Sequence, residues 1–294
     1  MKTRSKILAV LLAVVAAATV GFATIGFTGC GEEDGAGDAQ RTDLSGTVNV
    51  TGSTSVQEVM GPLADAFMEM YPDVQINITG SGSGTGISDT AGGLNDFGMS
   101  SRALKDTEIA NGVVGKKIAD DGIALVVNSS NSTSDVTTQQ VYDLYKNGTA
   151  IGTSVTYGIG REASSGTRGA FDELIVSDGE DLTSGYHTSV VEQTSTGNVK
   201  TAVAQANNSM GYISLGSVDD TVKAVKFNGV EPTVENVKNG TYKLARPFLL
   251  VLNGSDVESA VSEMSAEAQA FYYFILSPDG QEIIADAGYI SLYL

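Results

Sequence analysis

The chain has 294 residues, of which 41% are hydrophobic; this suffices for one large domain or two smaller lobes and excludes disorder over most of its length. Its 35 acidic residues outnumber the 17 basic ones, for a formal net charge of −18. Nucleic acid is not expected as a partner, because binding it requires a basic face that neutralises phosphates. A small anion is compatible with this charge, since local hydrogen-bond donors and helix ends can outweigh distant, screened charges.

The N-terminal segment has the form of an export signal. Three basic residues precede an apolar run over 7–27, which ends in small residues before Cys30. Cys30 is the only cysteine, so no internal disulfide can form, and its position resembles that of the lipidated cysteine of a bacterial lipobox. We predict that residues 1–29 are a lipoprotein signal peptide. Acylated Cys30 would then hold the protein on the outer face of the cytoplasmic membrane.

Residues 30–45 are polar, acidic and rich in glycine, which predicts a flexible tether. Beyond it, short β-branched runs alternate with helical patterns, and this alternation predicts an α/β fold with parallel or mixed sheets. The predicted order is strand 46–52, helix to 71, strand 74–80, helix from 87, strand 123–128, helix 139–148, strand, loop and helix over 155–179, helix and strand over 197–216, a hairpin edge over 222–232, strand 242–254, and two helices over 266–292. Gly61-Pro62 is expected to kink or interrupt the first helix.

Three stretches of this chain share a composition of glycine and hydroxyl residues: "TGSTSV" at 51–56, "TGSGSGTGIS" at 79–88 and "REASSGTRGAF" at 161–171. Each follows a predicted strand and opens a predicted helix, so it presents free backbone N–H groups and the positive end of a helix. One such turn alone is usually a helix cap or a tight turn. Three together indicate a site for a tetrahedral oxyanion, whose lone pairs need donors from several segments.

Arg161 adds a positive charge to the third stretch. Its guanidinium can form a fork onto two oxygens of an anion, while Ser165, Gly166 and Thr167 offer hydroxyls and amides a few residues later. Glu162, the next residue, is placed to orient the arginine or another group of the site. The sequence thus predicts a charged centre surrounded by neutral donors.

Catalytic signatures are missing from this sequence. His187 is the sole histidine and lies in a polar stretch, so a serine nucleophile would have no adjacent imidazole base. There is no G-x-S-x-G elbow and no G-x-x-x-x-G-K-[ST] phosphate loop. One cysteine and one histidine cannot form a usual zinc site. We predict that the protein is not an enzyme and has no cofactor or metal.

Six blocks of sequence resemble the phosphate-binding lipoproteins of bacterial phosphate ABC importers, in their Gram-positive form. The blocks are "TGSTSV", "GSGSGTGI", "NDFGMSSR" at 95–102, "GREASSGTRGAF" at 160–171, "SMGYISLG" at 209–216 and "YKLARPFLL" at 242–250. They occur in the family's order and cover nearly all of residues 46–294. The resemblance implies a monomeric protein that captures inorganic phosphate and delivers it to ABC permease subunits.

The resemblance also implies a two-lobed, periplasmic-binding-protein-like fold of type II, in which each lobe is a mixed sheet flanked by helices. Lobe 1 is expected over 46–126 and 246–294 and lobe 2 over 127–245, with phosphate in the cleft between them. Residues that match the family's ligands are Thr54, Ser55, Ser83, Arg161, Ser165, Gly166 and Thr167. Ser53 and Gly84 are neighbours expected to add backbone contacts.

Ser101 is a departure from part of the family, because many members have an aspartate at this position. A buried carboxylate accepts a proton from phosphate and repels sulfate, whereas a serine hydroxyl accepts without repelling. Arg102 either adds a second positive contact or faces water. Two alternatives therefore stay open: a binding protein for sulfate, molybdate or tungstate, and a surface or signalling lipoprotein without a transport role.

Overall fold

The computed structural model describes residues 44–293. The predicted signal peptide, Cys30 and most of the tether lie outside the described residues. Residues 45–293 belong to one compact unit. Within the described part of the chain, no helix is both long and apolar enough to cross a membrane.

The described residues contain eleven strands, ten α-helices and one 3-10 helix (Leu215–Ser217). The strands are β1 (Gly46–Gly52), β2 (Val74–Gly80), β3 (Phe97–Ser100), β4 (Val113–Asn128), β5 (Asp135–Val136), β6 (Tyr157–Arg161), β7 (Val191–Gln193), β8 (Ser209–Ser214), β9 (Val222–Ala224), β10 (Lys226–Phe227) and β11 (Ala245–Asn253). The helices are α1 (Thr54–Met70), α2 (Ser83–Ala91), α3 (Asp106–Ile109), α4 (Thr138–Asn147), α5 (Gly166–Leu174), α6 (Thr196–Gln205), α7 (Val234–Lys238), α8 (Val257–Ser262), α9 (Ala266–Leu276) and α10 (Pro278–Asp286).

The main sheet is mixed and has the strand order β2-β1-β3-β11-β4-β8-β6-β7, with β9 also paired to β4. β1 is parallel to both of its neighbours, β2 and β3, and β6 is likewise parallel to β8 and β7. β11 and β4 run antiparallel to each other and to the strands beside them. Parallel strands joined through helices thus lie on both sides of a central antiparallel pair.

β4 connects the two halves of this sheet. Its first part, Val113 to Gly122, pairs with β11, whereas Ile123 to Asn128 pairs with β8 and β9. The sequence predicts only the second part, because Ile123 to Val127 is a continuous buried apolar run. The first part is half-exposed and carries Lys116, Lys117 and Asp120. Because these charged residues interrupt the apolar pattern, the hydrophobic pattern alone does not predict a strand there.

Each half of the sheet has its own aromatic packing. On the side of β1, the ring of Phe67 lies 5.2 Å from Phe271 and 5.6 Å from Phe274. On the side of β6, the rings of Phe171 and Tyr212 stack at 4.0 Å, with Tyr145 edge-on to Phe171. Fully buried aromatic rings contribute the largest apolar areas of a core, so these clusters fix the helices against the sheet.

Two local predictions from the sequence need correction. Pro62 does not interrupt the first helix, since α1 continues through it from Thr54 to Met70. The adjoining Val59, Met60 and Leu63 are fully buried, and their burial outweighs the missing backbone hydrogen bond. In the segment 222–232 only the tip is a hairpin, where Phe227 and Val230 form an antiparallel bridge around Asn228-Gly229. The strands before it pair elsewhere, β9 with β4 and β10 in parallel with β5.

Candidate functional site

The first hydroxyl-rich turn lies between β1 and α1. Gly52 ends the strand with φ of 137°, where a Cβ atom would stand 2.3 Å from the carbonyl oxygen of Met99, so only glycine fits. Ser53 caps α1, its hydroxyl accepting a hydrogen bond from the backbone N–H of Val56 at 3.3 Å. Thr54 and Ser55 then form the first turn of the helix and are buried with Ser53.

The second turn brings Ser83 to the same place. α2 begins at Ser83, earlier than the sequence predicts, because Gly82 takes a φ of 90° and turns the chain into the helix there. The Ser83 hydroxyl accepts from the backbone N–H of Ser101 at 3.1 Å and lies 3.4 Å from the Ser101 hydroxyl. The Ser53 hydroxyl in turn donates to Ser101 at 2.9 Å. Three predicted residues from separate segments therefore meet.

The third turn packs against the second. A Cβ atom on Gly166 would lie 2.1 Å from the Ser83 hydroxyl oxygen and 2.7 Å from that of Ser101, so the glycine backbone contacts both serines directly. The Thr167 hydroxyl lies 3.0 Å from that of Ser55. Ser165 caps α5 by accepting from the backbone N–H of Arg168 at 3.2 Å.

Backbone groups join the same two turns. The amide of Gly84 donates to the carbonyl of Ser164 at 2.9 Å. The backbone N–H of Gly84, which the sequence predicts as a ligand contact, is therefore already hydrogen-bonded.

Arg161 ends β6 and is 1% exposed. Its Nε and Nη2 atoms donate to the two carboxylate oxygens of Glu162, both at 2.8 Å, so the adjacent glutamate does orient it. Its backbone is held on both sides, because its N–H donates to the Tyr212 hydroxyl at 3.1 Å and its carbonyl accepts from Arg168 at 2.8 Å. The Nη1 atom of the guanidinium faces the turns and donates to the hydroxyl of Thr196 at 3.4 Å.

Thr196 is a site residue that the sequence reasoning missed. It opens α6, and its hydroxyl lies 3.1 Å from that of Thr54 and 3.0 Å from that of Ser55. Its backbone N–H also donates to the Thr54 hydroxyl at 3.2 Å. The signal was present, because "TSTGN" at 194–198 is a fourth hydroxyl-rich stretch between a strand and a helix.

Arg246 is the second missed residue, and it approaches the turns from β11. Its Nη2 donates to the Ser55 hydroxyl at 3.2 Å, while Nη2 and Nε both donate to Asp121, at 2.9 and 3.1 Å. Burial raises the pKa of the Asp121 carboxyl, and the charge of Arg246 opposes that rise. An arginine inside an apolar strand is destabilising unless it is paired, so the arginine in "LARPF" could have indicated a buried partner or ligand.

Arg102 does not join the other predicted residues. Its guanidinium donates to both carboxylate oxygens of Glu108, at 2.8 and 2.7 Å, and to the carbonyl of Ala103 at 2.8 Å. Burial acts against ionisation of Glu108, but the hydrogen bonds from Arg102 and from the Lys105 amide hold its pKa below the usual value. The donors of the Arg102 side chain are therefore bound to neighbouring residues of the same loop and helix, and not to the other predicted site residues.

Two hydrogen-bonded groups of buried hydroxyl residues adjoin at Gly166 and Thr167, and we call them together the hydroxyl cluster. It consists of Ser53, Thr54, Ser55, Ser83, Ser101, Thr167 and Thr196. Four helices, α1, α2, α5 and α6, begin at or beside it, so their free N–H groups and positive ends point towards it. Arg161 and Arg246 add positive charge from two sides. No carboxylate of the described residues is hydrogen-bonded to the cluster, because Glu162 and Asp121 are turned to the arginines.

Buried donors that come from many segments of the chain suit the binding of a small oxyanion. The fold and the site together define a solute-binding protein of the periplasmic type. A family model described as a PBP superfamily domain matches residues 37–279. The mixed α/β fold predicted from the sequence is thereby confirmed.

Two solved structures are similar over 84% of this chain and 100% of theirs. One is a substrate-binding protein with bound phosphate from Clostridium perfringens, attributed to a phosphate ABC transporter, with 37% identity and a TM-score of 0.76. The other is an ABC-type phosphate transport receptor from Vibrio cholerae, with 32% identity and a TM-score of 0.65. The phosphate-binding protein PstS of Pseudomonas aeruginosa is 29% identical over 85% of this chain and 84% of its own length. The chain belongs to the PBP superfamily and, within it, to the family of phosphate-binding proteins of phosphate ABC transporters.

Proposed function

We propose that this protein captures inorganic phosphate outside the cytoplasmic membrane and delivers it to the permease subunits of an ABC importer. The single observation that carries the proposal is the hydroxyl cluster, in which buried donors from four helix starts meet beside the Arg161 guanidinium. Phosphate has four oxygens that need donors in a tetrahedral arrangement, and such a set of separate turns can surround it. The relatives that bind or transport phosphate support the same ligand.

The proposed ligands are the predicted residues that the cluster connects, together with the turn of α5. They are Ser53, Thr54, Ser55, Ser83, Ser101, Arg161, Ser165, Gly166 and Thr167, with Thr196 added from the structure. About eight charge-assisted hydrogen bonds of roughly 1.5 kcal/mol each would exceed the roughly 8 kcal/mol that micromolar binding needs. The excess covers the ordering of side chains on binding.

We propose that residues 46–126 and 246–294 form one lobe and residues 127–245 the other, and that they close on phosphate. The strand order supports this division, because β1, β2 and β3 lie on one side of the β11–β4 pair and β6, β7 and β8 on the other. The two ranges meet at the cluster, as in Ser55 with Thr167, Thr54 with Thr196, and Gly84 with Ser164. Hinge closure over a ligand between lobes is a common motion of binding proteins.

The further parts of the proposal concern location, assembly and activity. Acylated Cys30 would anchor a monomer to the membrane, with residues 31–45 as a tether. We propose that the protein has no catalytic role. Its sole histidine, His187, contacts Ser189 and packs beside Gly148, which supports a structural role for that side chain.

Calorimetric titration of residues 44–294 with phosphate, sulfate, arsenate and molybdate tests the proposal. We expect binding of phosphate and arsenate, because both keep a proton near neutral pH and share one geometry. Heat from molybdate or sulfate alone would instead favour the alternative oxyanion transporters. A protein that binds none of the four would fit the surface or signalling alternative.

Replacing Ser101 by Asp should increase selectivity for phosphate over sulfate by at least about tenfold, because a carboxylate in the cluster accepts from P–OH and repels a fully ionised anion. Ser101→Asn is the matched control, since it has nearly the same size without the charge. The measurement is the ratio of the phosphate and sulfate dissociation constants. Equal ratios in the Asp and Asn variants would contradict the prediction.

Replacing Arg102 by Gln should change phosphate affinity by less than about threefold, because its guanidinium is bound to Glu108 and not to the cluster. The variant should lose about 1–2 kcal/mol of unfolding free energy with this bidentate ion pair. Titration and denaturant unfolding measure the two effects. A large loss of affinity at unchanged stability would restore Arg102 to the site, as the sequence first predicted.

A further inference from the structure

Arg246 and Asp121 form a cross-strand ion pair at the centre of the sheet. They stand opposite each other in the register of β11 and β4. Their side chains are each 1% exposed, and Asp121 also accepts from the Ser214 hydroxyl at 2.8 Å. Buried arginines are rarely retained without a specific partner for each donor.

The bonds of Arg246 orient its guanidinium. Nε and Nη2 both donate to the same oxygen of Asp121. The Nε–Nη2 edge of the planar guanidinium is therefore occupied by Asp121. The other N–H of Nη2 then lies on the side of Nη1, and this is the proton that reaches the Ser55 hydroxyl. The remaining edge, formed by Nη1 and Nη2, therefore faces the hydroxyl cluster.

Nη1 of Arg246 is buried and has no hydrogen-bond partner among the described residues. A buried charged donor left unpaired is destabilising, so it is normally found where a ligand completes it. Arg161 reaches the same cluster from β6, in the other half of the sheet, by donating to Thr196. The charged and titratable groups that face Arg246 are Asp121, Arg161 and the Tyr289 hydroxyl.

We propose that Arg246 is a second guanidinium ligand of the bound anion, with its Nη1–Nη2 edge on the anion and Asp121 holding the opposite edge. This inference rests on the proposed function. Two guanidinium groups that reach the same hydroxyl cluster repel each other until an anion lies between them, so the arrangement favours a tetrahedral guest with more than one negative charge. Asp121 is a positioning residue, because it acts only through the arginine.

The test compares four variants by calorimetry with inorganic phosphate and by thermal unfolding. Arg246→Gln should weaken phosphate binding by at least about thirtyfold, and Arg246→Lys by less, because an ammonium keeps the charge but not the fork. The double variant Asp121→Asn with Arg246→Gln replaces the ion pair by neutral groups and guards against a folding defect; it should bind as weakly as Arg246→Gln. Lys226→Gln removes an exposed positive charge that pairs with Glu231, and should change affinity by less than about twofold.

The outcomes separate this inference from the proposed function. If the wild-type protein binds phosphate and the folded double variant binds it equally well, Arg246 is only structural and the inference is overturned. If the wild-type protein binds none of the four oxyanions, the proposed function fails first. A crystal structure with phosphate gives the direct measurement, in which Nη1 should lie within about 3.2 Å of a phosphate oxygen; Nη1 turned elsewhere would also overturn the inference.

Discussion

Replacing Arg161 by Ala is expected to weaken phosphate binding by at least about 2 kcal/mol, or roughly thirtyfold. The guanidinium is almost fully buried, and its Nη1 edge faces the hydroxyl cluster. Its removal takes away a charge-assisted donor and also leaves Glu162 without its partner beside the anion. The second effect adds like-charge repulsion to the loss of the contact.

Titration of the Ala variant with phosphate measures this loss. Arg161→Lys should recover part of it, because an ammonium restores the charge without the fork onto Glu162 and the anion. Lys226→Gln again controls for the loss of one positive charge at a distance. An unchanged isotherm for the Ala variant would remove Arg161 from the site.

Replacing Asp172 by Asn should make the protein's stability less dependent on pH between about pH 4 and 7. Burial raises the pKa of the Asp172 carboxyl to about 7, against the lowering effects of the Tyr186 hydrogen bond and the Arg168 charge. The folded protein thus binds a proton that the unfolded chain, with a pKa near 3.8, has already released. Stability from this group is present below pH 4 and is lost as the pH rises through 7.

The expected size follows from the difference between the two pKa values. Each pKa unit corresponds to about 1.4 kcal/mol, so the wild-type protein should lose up to about 4 kcal/mol relative to Asp172→Asn between pH 4 and pH 8. Denaturant unfolding of both proteins across this range measures the difference. The exposed Asp178→Asn is the matched control. A constant difference between wild-type and Asp172→Asn protein would contradict the prediction.

Asp172 is linked to Arg161 through the hydroxyls of two tyrosines. Tyr186 donates to its carboxylate at 2.5 Å and lies 2.8 Å from the Tyr212 hydroxyl, which accepts from the Arg161 amide. Arg168, which holds the carbonyl of Arg161, lies over the Tyr186 ring and 3.5 Å from Asp172. The same buried groups therefore set the pH dependence of folding and the position of the backbone at Arg161.

The sequence predicted the parts of the site that local chemistry encodes. Ser53 and Ser165 are helix caps, and a hydroxyl or glycine residue between a strand and a helix has a local reason to be there. Arg161 was predicted because it stands next to such a turn. Ser83 and Thr167 followed from the same pattern, and the structure brings both to the cluster.

Other residues could not be placed in this way, because their roles depend on partners far along the chain. Arg246 contacts Ser55 across 191 positions and Asp121 across 125, and no local pattern connects them. Arg102 was predicted from its neighbour in the sequence, but its side chain does not reach the cluster. It follows Ser101 directly, yet its side chain turns to Glu108 and forms a bidentate ion pair with it.

The sequence by itself determined the alternation of strands and helices, the hydroxyl-rich turns and the excess of negative charge, since each depends on neighbouring residues or on composition. Only the tertiary structure decided which turns meet, which carboxylate neutralises which arginine, and that β4 continues from one half of the sheet into the other. The physical reason is that hydrogen bonds and ion pairs need atoms within about 3 Å. That proximity is created by strand register and core packing, and neither is written in any short stretch of the chain.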